Sequence, residues 1–293
     1  MLLRATPPRD RRYDGRVPPS PDLSPVPAPA AAPSAAHSTS ATSATSVAAE
    51  ASAEARDAVR SDVALPAAVL WDMDGTLINS EPYWMAAEGE LTREHGVPWT
   101  HDDGLQLVGR ALVDSAAIMQ GAGVRLEVPE IIEYLISRVI AQVKVEVPWQ
   151  DGAVETLASV RAAGIPCALV TMSYRSFADA FVAQAAEGTF DVIVTGDEVT
   201  RGKPDPEAYL RAAQMLGVRI EDCVVVEDSP SGIASGLASG APTVGIEVMV
   251  PVEPQPGLSR IRSLRSLTLE TLGRLAAGEV IDEIGVPETA SRA

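Results

Sequence analysis

Asp72 and Asp74 stand one residue apart, directly after the apolar run Ala67-Ala68-Val69-Leu70-Trp71 and directly before Gly75. The run is too short for a helix and is bounded ahead by Pro66, so it reads as a buried strand with an acidic carboxyl end. Were the backbone extended through 72–74, the two carboxylates would point to opposite faces. Gly75 lets the chain turn and bring both to one pocket. A second acidic pair, Glu227-Asp228, closes the apolar run Val224-Val225-Val226, and two hydroxyls, Thr171 and Ser173, close Cys167-Ala168-Leu169-Val170. Lys203 lies in Gly202-Lys203-Pro204-Asp205-Pro206, just ahead of a helical pattern. Taken singly, Asp-x-Asp-Gly is equally a plain acidic turn, and a lone lysine is usually a solvated charge.

Carboxylates gathered in one place repel one another unless a cation sits among them. Oxygen ligands beside an anionic substrate suit Mg²⁺, a hard cation, which can also neutralise charge developing on a phosphoryl oxygen. Thr171 and the amides after it can donate to other phosphoryl oxygens, and Lys203 supplies a fixed positive charge. A carboxylate can serve as nucleophile and form an acyl-phosphate, which divides one hard displacement into two easier ones. No Gly-x-x-x-x-Gly-Lys-Ser/Thr loop occurs, so a nucleotide-hydrolysing P-loop is unsupported.

These groups converge only if their strands are parallel and share one sheet. The pattern predicts helices over 81–95, with Ser80 as N-cap and Pro82 in the first turn, then over 111–121 and 129–143. From 151 onward strands and helices alternate: helix 151–163, strand Cys167–Thr171, helix 175–186, strand Val192–Val194, helix 205–216, strand Val224–Val226, helix 230–239 and strand Thr243–Ile246. A final helix is expected over Leu267–Ala277. Such alternation implies right-handed βαβ units, hence an α/β fold with a doubly wound parallel sheet and an inserted α-helical domain after the first strand. Carboxyl ends of parallel strands face one side, where open sheets bind ligands.

Residues 1–62 are dominated by Ala, Pro, Ser and Thr, and are expected to be disordered because they cannot bury enough apolar surface to offset their ordering entropy. Arg4, Arg9, Arg11, Arg12 and Arg16 are not followed by an apolar stretch, so the segment does not read as a secretory signal. A start codon assigned too far upstream is a further reading of it. The α/β core is expected over 63–80 and 149–280, the helical cap over 81–148, and a loose tail over 281–293. A net charge of −17 argues against nucleic acid or an anionic membrane as partner, and no apolar run is long enough to span a membrane. Cys167 and Cys223 are the only cysteines and lie in apolar runs, which supports neither disulfides nor zinc and makes a reducing cytoplasm the expected compartment.

Four motifs in order, Asp72-Met73-Asp74-Gly75-Thr76, Val170-Thr171-Met172-Ser173, Lys203 within Gly202–Tyr209, and Val226-Glu227-Asp228-Ser229-Pro230-Ser231-Gly232, give the stretch 67–250 a resemblance to the haloacid dehalogenase superfamily, in its branch with a helical cap after the first strand. The resemblance implies a Mg²⁺-dependent phosphatase acting on a small phosphorylated metabolite. Asp72 would be the nucleophile. Asp74 would be the general acid and then the base, with its backbone carbonyl on the metal. Asp228 would bind the metal directly, and Glu227 directly or through water. Thr171 and Lys203, with Ser173 either joining them or capping the next helix, would hold phosphoryl oxygens. Dehalogenases lack the second aspartate, so Asp74 argues against them; phosphonate hydrolases replace it with a small residue and use a cap lysine, and the only lysine of the insertion is Lys144, near its end. β-Phosphoglucomutases share all four motifs, but carry a histidine where this chain has Trp84 and an arginine where it has Leu112. The mutase, and a non-catalytic binding protein on the same fold, are the alternatives.

Substrate choice is expected in the insertion. Gly109 and Arg110 resemble the cap loop that descends over the active site in related enzymes, Arg110 reading either as a partner for an anionic leaving group or as a surface arginine. Trp84 is a candidate lining residue or part of the cap core. Linkers near 79–82 and 147–151 would act as hinges. Sugar phosphates, phosphoglycolate and nucleotide monophosphates all remain open as substrates.

Overall fold

β1 (Ala68–Trp71) is fully buried along its length in a computed structural model that describes residues 64–248 and 250–285. The tail expected over 1–62 and the chain from 286 onward lie outside the described residues. Four helices follow β1: α1 (Glu81–Glu94), α2 (His101–Leu105), α3 (Leu112–Ala122) and α4 (Val128–Val145). The alternating part then runs α5 (Ala153–Ala162), β2 (Cys167–Val170), α6 (Arg175–Val182), β3 (Val192–Val194), α7 (Glu207–Leu216), β4 (Cys223–Glu227), α8 (Pro230–Ser239), β5 (Thr243–Ile246), β6 (Leu258–Ile261) and α9 (Leu269–Ala276).

The six strands form one sheet in the order β3-β2-β1-β4-β5-β6, and every pairing is parallel. This is the expected doubly wound sheet. β1, β2, β4 and β5 are buried at every residue, which explains why they read as unbroken apolar runs. β1 lies between β2 and β4, where the winding of the chain reverses and a crevice opens beyond the strand ends. Trp71 is level with Leu169 on one side and Val226 on the other. Asp72 and Glu227 follow at once and Thr171 comes two residues after Leu169, so all three emerge at the carboxyl edge.

α4 carries a buried stripe, Ile131, Ile132, Leu135, Ile136, Val139 and Val143, in one cluster with Ala87 and Leu91 of α1 and Ala116 and Met119 of α3. Trp84 of α1 meets Phe177 of α6 edge to face, with ring centroids 5.6 Å apart. The two expected hinge segments are tied together: Asn79 N donates to Pro148 O at 2.8 Å, Gln150 N to Leu77 O at 2.9 Å, and Ile78 bridges Trp149 in antiparallel fashion.

Several expectations need correction. α6 stops at Val182 rather than 186, because the chain turns there through Gln184 N to Phe181 O and Ala185 N to Val182 O. β6 was not foreseen. Its Arg260 is buried, with Nη1 donating to Val252 O at 2.8 Å and Nη2 on Asp282 at 2.6 Å. That pairing, with Arg260 N on Ile281 O at 2.7 Å, holds residues 281–285 to the sheet edge where a loose tail was expected. Ser80 precedes α1 but makes no capping hydrogen bond, because its hydroxyl is engaged elsewhere.

Candidate active site

Asp72 N donates to Val226 O at 3.0 Å, which carries the β1–β4 ladder one residue past the strand. The chain then curls. Leu77 and Ile78 both donate to Met73 O, at 3.0 and 3.1 Å, and Gly75 holds φ +94°. A Cβ on Gly75 would overlap the Asp228 carboxylate, so glycine there supplies both the turn and the space. Thr76 Oγ1 donates to Asp228 Oδ1 at 3.0 Å, which draws the ends of β1 and β4 together.

Lys203 reaches into this edge from the loop before α7 and is a buried cation, with 3% of its side chain exposed. Its Nζ donates to Asp72 Oδ1 at 2.7 Å, Glu227 Oε1 at 2.6 Å and Val170 O at 2.9 Å. No hydrogen bond from the described residues meets the other Asp72 oxygen, Oδ2. Burial pushes the Asp72 carboxyl well up and the charge of Glu227 adds to that, against the opposing pull of Lys203.

Asp74 is held by hydroxyls instead of a cation. Ser80 Oγ donates to its Oδ1 at 2.5 Å, and Ser173 Oγ and Thr171 Oγ1 donate to Oδ2 at 2.7 and 3.3 Å. Burial raises its pKa while these hydrogen bonds, with Trp84 adding to them, restrain the rise. Ser173 is thus neither free nor a helix cap: Tyr174 holds the N-cap position of α6, and Ser173 faces Asp74.

Glu227 is fully buried and closely bonded. Its Oε1 accepts from Lys203 and, at 2.8 Å, from Tyr209 Oη. Its Oε2 accepts from Asp228 N at 3.1 Å, Ser229 N at 3.2 Å and Ser229 Oγ at 3.1 Å. Five donors on two oxygens fill the lone pairs a carboxylate offers, so direct metal binding by Glu227 would displace one of them. A Cβ on Gly232 would collide with this carboxylate, so that glycine makes room for it.

Asp72, Glu227 and Asp228 each offer an oxygen, and the three lie within 4.8 Å of one another. Burial, then Glu227, pushes Asp228 up to about 7. Crowded carboxylates that resist ionisation, offering only hard oxygen donors, are the setting a hard divalent cation relieves. The residues present therefore fit such an ion, with Asp72 and Asp228 the less encumbered donors.

The structure brings together Asp72, Asp74, Thr171, Ser173, Lys203, Glu227 and Asp228. It does not bring in Arg110, which is exposed with Nε on Gln106 O at 2.6 Å, or its neighbour Gly109, at φ +73° in the same turn. Trp84 does face the site, beside Asp74. Sequence reading missed the parts played by Ser80 and Tyr209. Tyr209 carried a usable signal: it lies six residues after Lys203, on the buried face of α7.

The fold and this edge define an α/β enzyme built around a buried acidic pocket with one lysine. A profile of haloacid dehalogenase-like hydrolases matches residues 66–240, and the chain belongs to that family: it is a hydrolytic enzyme. It is 33% identical over 216 residues to hexitol phosphatase A of Escherichia coli strain K12, covering 72% of this chain and 96% of that one. It is 36% identical over 183 residues to validoxylamine A 7'-phosphate phosphatase of Streptomyces hygroscopicus subsp. limoneus, covering 60% of this chain and 84% of that one. Among solved structures, a family IA, variant 3 hydrolase from Entamoeba histolytica superposes with a TM-score of 0.64 at 28% identity, covering 72% of this chain and 99% of that one.

Proposed function

We propose that the chain is a Mg²⁺-dependent phosphatase that hydrolyses a small phosphomonoester through an aspartyl-phosphate on Asp72. The observation that carries this reading is the different footing of the two aspartates: Asp72 is fixed by Lys203 with Oδ2 unbonded, whereas Asp74 is held by three hydroxyls. Asp72 Oδ2 attacks phosphorus while the bond to the alcohol oxygen breaks, and Asp74 delivers a proton to that oxygen. Asp74 then takes a proton from the water that opens the acyl-phosphate and restores Asp72. Asp74's raised pKa suits the first duty, and its hydroxyl partners suit the charged form needed for the second. Lys203, Thr171 and Ser173 stabilise the phosphoryl oxygens. Asp72, Asp228 and the Asp74 carbonyl would hold Mg²⁺, with Glu227 acting through water. When bound, the ion supplies charge neutralisation at a phosphoryl oxygen.

Both named relatives above are phosphatases, which supports the reading. Water is the acceptor favoured over a second sugar hydroxyl, because Trp84, packed on Phe177, stands where mutases carry a histidine. The insertion over 81–148 acts as a cap on the core of 63–80 and 149–280, closing over the pocket about the paired linkers and excluding water. The two free, buried cysteines suit a reducing compartment, the cytoplasm being the simplest. No helix among the described residues is long and apolar enough to cross a membrane. The test is phosphate release from a panel of small phosphomonoesters with and without Mg²⁺, for the wild type and Asp72→Asn. Release that needs the metal and is lost in the variant is expected. A folded protein that binds Mg²⁺ yet releases nothing from any ester would overturn the proposal.

A further inference from the structure

Glu88 is a buried carboxylate that the proposed chemistry leaves unused. The residue is 4% exposed, and no hydrogen bond or ion pair reaches its side chain from the described residues. Its Oε2 is sealed from solvent with no partner. Such a group costs stability, since a desolvated acceptor has given up its water without replacement. An apolar side chain of similar size would suit a purely structural position better.

The placing of Glu88 accounts for its retention. α1 begins over the catalytic edge, where Ser80 donates to Asp74. Glu81, Trp84 and Glu88 follow at helical spacings of three and seven residues and so share one face. Two turns separate Glu81 from Glu88, a rise of about 10 Å, comparable to the reach of a hexose-sized group extending from a phosphate held at Asp72. The charges mark the same line. Burial and then Asp74 push Glu81 up to about 7, and burial and then Glu81 push Glu88 up to about 8. At its far end Glu88 meets α2 at Gly104, where a Cβ would lie 3.0 Å from Met85 Cε and 3.3 Å from Glu88 Oε2, so glycine there lets α2 pack against both without displacing the carboxylate.

We propose that Glu88 is a specificity-determining residue that accepts hydrogen bonds from hydroxyl groups on the alcohol portion of an uncharged, polyhydroxylated phosphomonoester. This rests on the phosphatase reading and names its substrate class. Among the described residues no cation pairs with Glu81 or Glu88, so a second phosphate or a carboxylate on the leaving group would meet no positive partner along this face. A hydroxyl supplies the missing donor without adding charge, and sites built to bond hydroxyls discriminate sharply against analogues lacking them.

The test compares Glu88→Leu and Glu88→Gln with the wild type, using the full chain with Mg²⁺. The substrates are sorbitol phosphate and glucose phosphate, glucosamine phosphate, phosphoglycolate, and p-nitrophenyl phosphate as an ester without hydroxyls. Glu88→Leu is expected to raise KM for the best polyol ester by about tenfold or more, to leave p-nitrophenyl phosphate within about twofold, and to raise the thermal midpoint. Glu88→Gln, which keeps an acceptor, is expected to fall between. Equal losses on both kinds of ester, or a lower midpoint in both variants, would assign Glu88 a structural role and overturn the proposal. So would a wild-type preference for phosphoglycolate, or for glucosamine phosphate over glucose phosphate, the latter pointing to an ammonium partner. Wild-type hydrolysis of p-nitrophenyl phosphate, lost in Asp72→Asn, tests the phosphatase reading separately. If hydrolysis is absent, the rise in thermal midpoint given by sorbitol phosphate beyond that of inorganic phosphate decides the assignment: Glu88→Leu must lose it.

Discussion

Tyr209 Oη donates to Glu227 Oε1 at 2.8 Å, between two fully buried side chains, on the oxygen that also takes Lys203 Nζ. Glu227 therefore orients the lysine that orients Asp72, and Tyr209 fixes Glu227. Tyr209→Phe keeps the packing and deletes one donor. The expected loss is about 1–2 kcal/mol of stability, read as a lower urea midpoint with an unchanged slope. A fall in kcat of about tenfold, equivalent to about 1.4 kcal/mol, is expected with KM little changed, because Lys203 acts on the reacting carboxylate. An unchanged kcat would show that Lys203 holds its place without this support.

Gly75 and Gly232 make room for different carboxylates, Asp228 and Glu227 respectively. Gly75→Ala places a methyl group against Asp228 and forces a non-glycine residue to φ +94°. The conformational strain alone is about 1–3 kcal/mol. The displaced carboxylate is expected to weaken cation binding, so the Mg²⁺ concentration for half-maximal activity rises by about tenfold or more. Titrating activity against Mg²⁺ checks this. A variant inactive at every metal concentration but normal in metal affinity would place the damage elsewhere.

Much of this arrangement was legible before the structure, and for a physical reason. Parallel strands covered on both faces read as unbroken apolar runs, so β1 and β4 announced themselves, and the polar residues that ended them had to lie at the binding edge. β6 gave no such signal, because Arg260 is buried only through Val252 O and Asp282, partners the local pattern does not reveal. α2 has five residues and no apolar period; its signal was the capping box of Thr100 and Asp103. Ser80 looked like a helix cap from its position, whereas the return of the chain over Asp74 decided its use. Glu88 is legible only as an acid on an otherwise buried face, and its lack of partners is a property of the packed structure.

Ser80 links the inserted helices to the catalytic edge, and its removal tests that link. A hydrogen bond to the charged form favours that form, so Ser80→Ala is expected to raise the Asp74 pKa further above its ordinary range. The limb of the pH–rate profile belonging to Asp74 should move to higher pH by about half a unit to one unit. Ser80→Thr, which restores the donor, should bring it back. A general loss of rate with an unmoved profile would mean that Ser80 positions the insertion without tuning the acid.

Glu88 also makes a prediction about stability, with a definite sign. Its carboxyl ionises near 4.5 in the unfolded chain and is pushed up to about 8 in the folded one, by burial first and then by Glu81. Between those values the folded state holds a proton that the unfolded state has released, so stability falls as pH rises through this window. The slope approaches about 1.4 kcal/mol per pH unit for one group. No penalty from this group is present below the unfolded value, and it is complete above the folded one. Glu81, pushed up to about 7, contributes the same sign over the lower part of the window. Glu88→Gln cannot ionise and should lose less stability between pH 5 and pH 8 than the wild type, overtaking it at the upper end. Urea midpoints for both proteins at the two pH values decide the matter: parallel losses would mean that Glu88 ionises freely in the folded protein, through water reaching it from the cleft.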